Sequence, residues 1–375
     1  MPARMSGGGV TPRRLLWLGL ALVLALPALA SGLTACLATA FLVEFLSDGS
    51  LPVLSVLTPA PVVEPLPLPG GAAAELYRSR LFAGAPLVLV HGLAPLGLAD
   101  PRLQQAARLL SRSGFRVAVP TIAGLTSLRL RPEDAEPVVE AIQALARRPG
   151  ARPVYVVAVS VGAGPAFSAA VDPRVADRVG LILSLGGYAS TTELLRYFLT
   201  GYYRFGASAG VSAPNLDGAR LFLRANMELI ENAEDRVRLS AWFQTAGAPV
   251  PSGLSSEGAA AAALLGNRDP ARVGPLIDGL TPALRRLLES LSPQWVVGKL
   301  KARLIVVHGR NDPAVPFTES LRLADAATRA GVRTRLVVVG TVEHVEAAGG
   351  AESAWNRLAD LGRLWAVVFD LLASG

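Results

Sequence analysis

Cysteine is almost absent from this sequence. Cys36 is the single cysteine among 375 residues, which excludes a disulfide framework and any zinc site built from several thiolates. Histidine is nearly as scarce, and three histidines leave little room for a His-rich metal site. We therefore expect neither a metal ion nor a cofactor.

Charge is sparse as well. Charged residues make up 17% of the chain and apolar residues 51%, a composition that excludes a disordered protein. The net charge is +7, but the arginines are scattered, and Lys299 and Lys301 are the only lysines among 36 basic residues. Nucleic-acid binding needs a clustered basic patch, so no nucleic-acid partner is expected.

An uncharged stretch from Leu15 to Val43 lies near the N-terminus and follows Arg4, Arg13 and Arg14. It exceeds the about 20 residues that cross the hydrocarbon core of a membrane. The arginines in front of it predict a cytoplasmic N-terminus with the rest of the chain outside. We therefore expect the domain that follows to lie on the periplasmic side of a bacterial inner membrane, joined to that membrane through this segment.

Three fates of the segment stay open. It is an uncleaved anchor helix, or a secretory signal cut after Ala28-Leu29-Ala30, which has the small-x-small pattern of a cleavage site. The third is a lipoprotein signal, because Leu33-Thr34-Ala35-Cys36 resembles a bacterial lipobox whose cysteine becomes lipidated. Each fate exports the remaining chain.

Beyond residue 60, short apolar runs alternate with segments of helical spacing. Continuous apolar strands alternating with helices predict an α/β fold with a mostly parallel, doubly wound sheet. The expected strands are 86–91, 115–119, 153–158, 179–185, 303–308 and 335–339, and the expected helices are 103–112, 133–147, 162–170, 318–329 and 351–372.

Five segments follow from this pattern. Residues 1–45 form the membrane anchor or signal, 46–60 a spacer, 61–190 the first part of the core, 191–298 a helical cap, or lid, and 299–375 the second part of the core. No strand is predicted in the cap. Its start is aromatic and either lines an apolar pocket or packs the cap interior. That cluster consists of Tyr188, Tyr197, Phe198, Tyr202, Tyr203 and Phe205.

Four motifs follow expected strands. They are His91-Gly92, Ala158-Val159-Ser160-Val161-Gly162, the run from His308-Gly309 through Asp312-Pro313 to Pro316, and a late His344. A serine at a sharp strand-to-helix turn projects its Oγ above the sheet, and small neighbours let the backbones approach. All four lie at the carboxyl ends of strands, where open α/β sheets keep their sites.

In these motifs and their order, the chain from about residue 61 resembles the α/β-hydrolase superfamily, most closely its dienelactone-hydrolase-like and esterase-like bacterial members. The resemblance implies Ser160 as nucleophile, His344 as general base and Asp312 as the carboxylate that orients His344. It places oxyanion donors at the N–H groups of Leu93 and Val161.

Simpler interpretations compete with these roles. Ser160 can be a helix N-cap, Asp312 an Asx-turn residue before Pro313, and His344 a surface loop residue. Glu319 and Glu343 are rival acids for the triad. His91 and His308, in contrast, are expected to be structural and hydrogen-bonded to loop backbone.

The predicted activity is that of an extracytoplasmic serine hydrolase that cleaves carboxylic esters through an acyl-enzyme, with a small-molecule substrate that is apolar or aromatic. The same triad serves amide or peptide bonds, so that alternative stays open. A third hypothesis is a catalytically silent scaffold that binds a lipid or a protein partner through its cap.

Overall fold

A computed structural model describes the chain except for residues 1–11, 128, 148–151, 217, 219–223, 225, 245–247, 341, 344–345 and 348–353. The strands of the main sheet are β1 Val62–Pro65, β2 Ala74–Arg78, β3 Ala85–Val90, β4 Phe115–Pro120, β5 Val154–Val159, β6 Val179–Leu185, β9 Arg303–Gly309 and β10 Thr334–Val339. Two small hairpins add β7 Tyr202–Phe205 with β8 Ser208–Val211, and β11 Val342–Glu343 with β12 Glu346–Ala347.

The main sheet, in the described part of the chain, has the order β1-β2-β4-β3-β5-β6-β9-β10. The pairs β1–β2 and β2–β4 are antiparallel, and the other neighbours are parallel. All six strands expected from apolar runs are present, which confirms the mostly parallel α/β class. The two antiparallel strands β1 and β2 were not predicted, because their apolar and polar residues are mixed and their burial is partial.

Helices cover both faces of this sheet. The described helices are α1 Pro12–Leu46, α2 Val53–Leu57, α3 Pro101–Arg112, α4 Ala123–Thr126, α5 Glu136–Ala146, α6 Ala163–Ala170, α7 Thr191–Thr200, α8 Ala233–Gln244, α9 Ser256–Gly266, α10 Val273–Asp278, α11 Pro282–Ser290, α12 Thr318–Arg329 and α13 Ala354–Ser374. Helices α5, α6 and α12 share one hydrophobic cluster with the sheet. Helices α1, α3 and α13 share a second cluster on the opposite face. This two-sided cover explains why strands such as β3 are apolar at every position.

The N-terminal helix α1 has two environments. Its segment Leu29–Leu46 has a mean hydropathy of 1.8, long and apolar enough to cross a membrane by length and composition. The last turns nevertheless pack on the hydrolase-like core: Ala38, Ala40 and Leu42 are buried, and the Trp365 indole of α13 donates a hydrogen bond to Thr39 Oγ1 at 3.0 Å. Ala38, Ala40 and Leu42 are therefore core residues of this domain.

The region expected as a spacer also contacts the core. Helix α2 lies within it, and Leu54 of that helix is fully buried against Ala40 and Leu109. The chain thus turns back after α1 and runs along α3 before β1 begins.

The insertion between β6 and β9 carries helices α7 to α11. Contrary to the expectation of helices alone, it also contains the β7–β8 hairpin, which turns at Gly206 with φ +57°. Tyr202, Tyr203 and Phe205 stand on this hairpin, where aromatic residues favour strand over helix.

Candidate active site

Ser160 stands at the junction of β5 and the helical turn before α6. Its φ is +54°, in the left-handed region, and Asp48 is the other non-glycine residue with positive φ in the described part of the chain. No cap hydrogen bond from a side chain is found at the start of that turn or of α6, whose N-cap is Gly162. The helix N-cap interpretation of Ser160 therefore fails, and the strained turn is the geometry of a nucleophile elbow.

Small residues around the elbow allow a close approach of three segments. A Cβ on Gly162 would lie 2.3 Å from the carbonyl oxygen of His91, so that position tolerates glycine alone. A Cβ on Gly92 would lie 3.1 Å from Ser160 Cβ. The end of β3 at His91-Gly92 is thereby held directly beside Ser160. Leu93 follows, and it lines the cavity at Ser160 that is described below.

His91 is fixed by hydrogen bonds to backbone groups. Its Nε2 accepts from the Ile122 N–H at 3.2 Å, so the proton lies on Nδ1, which donates to the Gly92 carbonyl at 2.7 Å. Burial lowers the pKa of the imidazole and keeps it neutral. The ring therefore ties the β3 loop to the segment before α4, as expected of a structural histidine.

Asp312 is buried in the loop after β9. Its Oδ1 accepts from the N–H groups of Ala314 at 2.8 Å and Val315 at 2.9 Å, which is the Asx-turn arrangement, and its Oδ2 lies 3.3 Å from His308 Nε2. His308 is fully buried, with Nε2 donating to the Val315 carbonyl at 2.9 Å and Nδ1 2.6 Å from Ser320 Oγ. The His308 ring and the turn together hold the carboxylate in one orientation, and Ala314 and Val315 of the same turn line the cavity that is described below.

His344 lies outside the described residues. It falls between β11 and β12, whose pairing joins Val342 to Ala347 and Glu343 to Glu346. The β11 strand contacts β9, the strand that leads to the Asp312 loop. The segment just before position 344 therefore lies next to β9, and β12 pairs with that segment.

Glu319, one of the rival candidates for the triad acid, binds backbone N–H groups and an arginine. It is fully buried, and its Oε2 accepts from the N–H groups of Ala189 at 3.0 Å and Ser190 at 2.7 Å, where the chain enters the cap. Its Oε1 pairs with Arg322 at 3.2 Å. This carboxylate joins α12 of the core to the first residues of the cap.

A cavity of about 970 Å³ opens at Ser160, Leu93 and Val161. The cap contributes Leu194, Leu195 and Phe198 to its wall, among other residues. Phe198 is the member of the predicted aromatic cluster that lines this cavity. Tyr203 instead makes edge contacts with Tyr197 and Phe317 at 6.1 Å between ring centroids.

Sequence reasoning missed part of this wall. Residues 45–48, from the end of α1 and the turn after it, line the cavity, and so do Asp100 and Arg102. Asp100 caps α3 through the N–H groups of Arg102 and Leu103. Although burial works against ionisation, hydrogen bonds from Arg102 and Leu103 lower the pKa of this carboxyl. One sequence signal pointed to this contact: Glu44 directly follows the uncharged stretch, and a charged residue there indicates that the end of the helix leaves the membrane.

Comparison with known proteins gives a partial family match. The sequence model of the Prolyl oligopeptidase family matches residues 282–366, the stretch that holds Asp312 and His344. No curated protein matches the chain.

Solved structures resemble the chain at low sequence identity. An acylaminoacyl peptidase from Pyrococcus horikoshii in an orthorhombic crystal form has a TM-score of 0.50 at 13% identity, over 86% of this chain and 43% of its own. A puromycin-hydrolyzing peptidase of Mycobacterium tuberculosis has a TM-score of 0.48 at 16% identity, and the match covers 84% of this chain and 39% of the peptidase. Carboxyl esterase 2 of Tuber melanosporum has a TM-score of 0.47 at 14% identity, and the match covers 84% of this chain and 85% of the esterase.

The chain spans about two fifths of the length of the two peptidases. Likeness at this identity concerns the fold, and together with the strand order and the elbow it confirms the expected α/β-hydrolase fold.

Proposed function

We propose that this α/β-hydrolase-fold chain is a serine hydrolase that cleaves carboxylic esters through an acyl-enzyme. The observation that carries the proposal is Ser160, at φ +54° on a strand-to-helix turn and facing a large, mostly apolar cavity. A structural serine gains nothing from such a conformation, which costs about 1–3 kcal/mol.

The proposed mechanism uses groups from four strand ends. His344 takes the Ser160 proton as Oγ attacks the carbonyl carbon, and the N–H groups of Leu93 and Val161 stabilise the resulting oxyanion. His344 returns the proton to the leaving oxygen, and water then cleaves the acyl-enzyme by the same steps. Asp312, fixed by Ala314, Val315 and the His308 ring, keeps His344 in the productive tautomer.

Labelling with a fluorophosphonate tests the nucleophile. We expect the full chain in membranes to be labelled and Ser160→Ala to remain unlabelled at equal expression. Ser160→Ala and His344→Ala should each remove nearly all ester hydrolysis, and the double variant should be little worse than either. An unlabelled wild type would support the silent scaffold, and a labelled Ser160→Ala would reject this nucleophile.

Asp312→Asn tests the orienting carboxylate. The asparagine Oδ1 still accepts the N–H groups of Ala314 and Val315, so we expect normal folding. Ester turnover, kcat, should fall by about three to four orders of magnitude, because the His tautomer becomes wrong. An unchanged kcat would assign Asp312 to the turn alone.

Amide bonds are the second candidate for the scissile link. The match of residues 282–366 to a peptidase family favours it. A 4-nitrophenyl ester and a 4-nitroanilide of one acyl group separate the two reactions, because they differ in the scissile bond alone. We expect the ester to be hydrolysed faster relative to its uncatalysed rate.

Membrane attachment and export complete the proposal. Once the docked residues after Cys36 are set aside, Leu15–Cys36 still offers the about 20 apolar residues of a span, with Arg13 and Arg14 before it. A reporter that works outside the cytoplasm, fused after residue 60, should be active, and radiolabelled palmitate on wild type but not on Cys36→Ser would identify a lipoprotein. Activity of a cytoplasm-specific reporter would reject the topology.

A further inference from the structure

The N-terminal helix reaches the catalytic serine's cavity. Phe45 and Leu46 from the last turn of α1, with Ser47 and Asp48 after it, line the same cavity as Ser160. Phe45 also stacks on Phe41 with 5.8 Å between ring centroids, so its position is set from within the helix. A segment expected to serve only as anchor or signal thus contributes to the wall of the site.

This helix end is firmly held. Glu44 is buried, and its carboxylate accepts hydrogen bonds from the backbone N–H and the hydroxyl of Ser55. Arg112 of α3 donates to the carbonyl groups of Ser55, at 3.2 Å, and Thr58. Because Glu44 immediately precedes Phe45, these contacts fix the cavity wall against α2 and α3.

The residues that line the cavity include some that belong to, or pack against, the hydrophobic clusters on both faces of the sheet, and we call the part lined by the end of α1 the helix-side arm. Leu46, Leu103 and Val159 pack against the hydrophobic cluster on the α1, α3 and α13 face. Leu130 and Leu194 belong to the cluster on the opposite face. Ser160 directly follows β5, which lies between the two faces, so a reacting carbonyl at its Oγ would have apolar side chains from both faces in the wall of the cavity around it.

From this arrangement we infer that Phe45 and Leu46 are specificity-determining residues. The inference rests on the proposed ester hydrolysis and names its substrate class: an ester with apolar groups on both sides of the scissile bond. One of these groups lies against the N-terminal helix, and the other lies under the cap. A volume of about 970 Å³ is at the upper end for small-molecule sites, which suits two such groups.

The test changes the size of residue 46 in both directions. Leu46→Ala enlarges the helix-side arm and Leu46→Trp fills it, both in the full chain in detergent. Two series of 4-nitrophenyl or naphthyl esters are compared, one with graded acyl chains and one with graded alcohols. In one of the series, we expect the long-to-short ratio of kcat/KM to rise about tenfold in Leu46→Ala and to fall about tenfold in Leu46→Trp.

Leu42→Ala is the matched control. Leu42 is a leucine of the same helix, buried against the same face of the sheet, but it does not line the cavity. It should lower the melting temperature without changing either length profile. If Leu42→Ala shifts the profile as much as Leu46→Ala, the effect is a loosened helix and the inference is wrong.

Labelling of Ser160 separates this inference from the proposed function. If the wild type is labelled by a short fluorophosphonate and both Leu46 variants keep the wild-type length profile in both series, the helix wall has no part in specificity while the hydrolase assignment stands. If the wild type neither reacts with the probe nor hydrolyses any ester, the proposed function itself is wrong.

Discussion

The backbone of Ser160 is the observation on which the proposed function depends most directly. A left-handed φ of +54° is unfavourable for any residue with a Cβ and free of that penalty for glycine. The surrounding contacts at Gly92 and Gly162 hold the turn in place. Strain at this point is therefore stored in the folded state and offset by the packing of the sheet.

Comparison of Ser160→Gly with Ser160→Ala measures this strain. Both variants lack the Ser160 hydroxyl, but glycine relaxes the turn whereas alanine does not. We expect Ser160→Gly to be more stable by about 1 kcal/mol in urea denaturation, after the greater flexibility of glycine in the unfolded chain is counted. Equal stabilities would show that the turn carries no strain.

His91 gives a prediction about pH. Burial has the largest effect on this imidazole, and it lowers the pKa of the ring in the folded protein below the ordinary 6.5. As the pH falls through about 6.5, the unfolded chain takes up a proton that the folded ring refuses, so the free energy of unfolding decreases until the lowered pKa is reached. Between pH 7.5 and 5.5, wild type should lose more stability than His91→Gln, as measured by urea unfolding. Parallel pH profiles would contradict the buried neutral ring.

At the scale of elements, the junction between core and cap depends on Glu319. The carboxylate accepts hydrogen bonds from the Ala189 and Ser190 N–H groups just before α7, and it pairs with the guanidinium of Arg322 on α12. Arg322 in turn lies 3.7 Å from Glu193 and stacks over Phe205 with 5.0 Å to the ring centroid. Cap helix, cap hairpin and core therefore share one buried polar node.

Removal of this node should loosen the cap before the core. Glu319→Ala leaves two buried N–H groups without their acceptor and removes one of the partners of the Arg322 guanidinium, at a cost of about 3–5 kcal/mol. Glu319→Gln keeps one oxygen for the N–H groups and should cost less. Urea unfolding measures the loss of stability, and limited proteolysis should cut Glu319→Ala first within the cap, residues 191–298. If Glu319→Ala is cut faster than wild type in the core while the cleavage rate in the cap stays unchanged, Glu319 does not have this role.

The strands that build the site could be predicted, because β3, β5 and β9 are buried on both faces and read as unbroken apolar runs. The β7–β8 hairpin could not, since four-residue, half-exposed strands have no such run. Ser160 and Asp312 could be located from their motifs. Phe45 and Leu46 could not, because an apolar helix has the same composition whether its neighbour is lipid or protein.

For the molecule as a whole, the docked end of α1 determines where the chain can be shortened. A chain beginning at residue 37 keeps Ala38, Ala40, Leu42 and the cavity wall, whereas one beginning at residue 50 exposes their partners on α3 and α13. We expect the first to retain the wild-type melting temperature and length profile. The second should melt at least 5 °C lower, because several kcal/mol of apolar burial are lost.

Differential scanning calorimetry of both shortened chains checks this expectation, with ester hydrolysis as the second measurement. Equal melting temperatures would mean that the N-terminal helix contributes no stability to the domain. A chain from residue 37 that melts like the one from residue 50 would place the stabilising contacts before residue 37.

The hydrogen bond between Thr39 and Trp365 joins positions 326 residues apart, near the two ends of the chain. During synthesis the N-terminal helix emerges long before α13, one of its docking partners. Contacts between such distant positions close slowly, and domains generally fold as units when their sequence is complete. The end of α1 can therefore dock on α2 and α3 early, but its contact with α13 forms only after the strand that leads to Ser160 and the residues up to Trp365 have been synthesised.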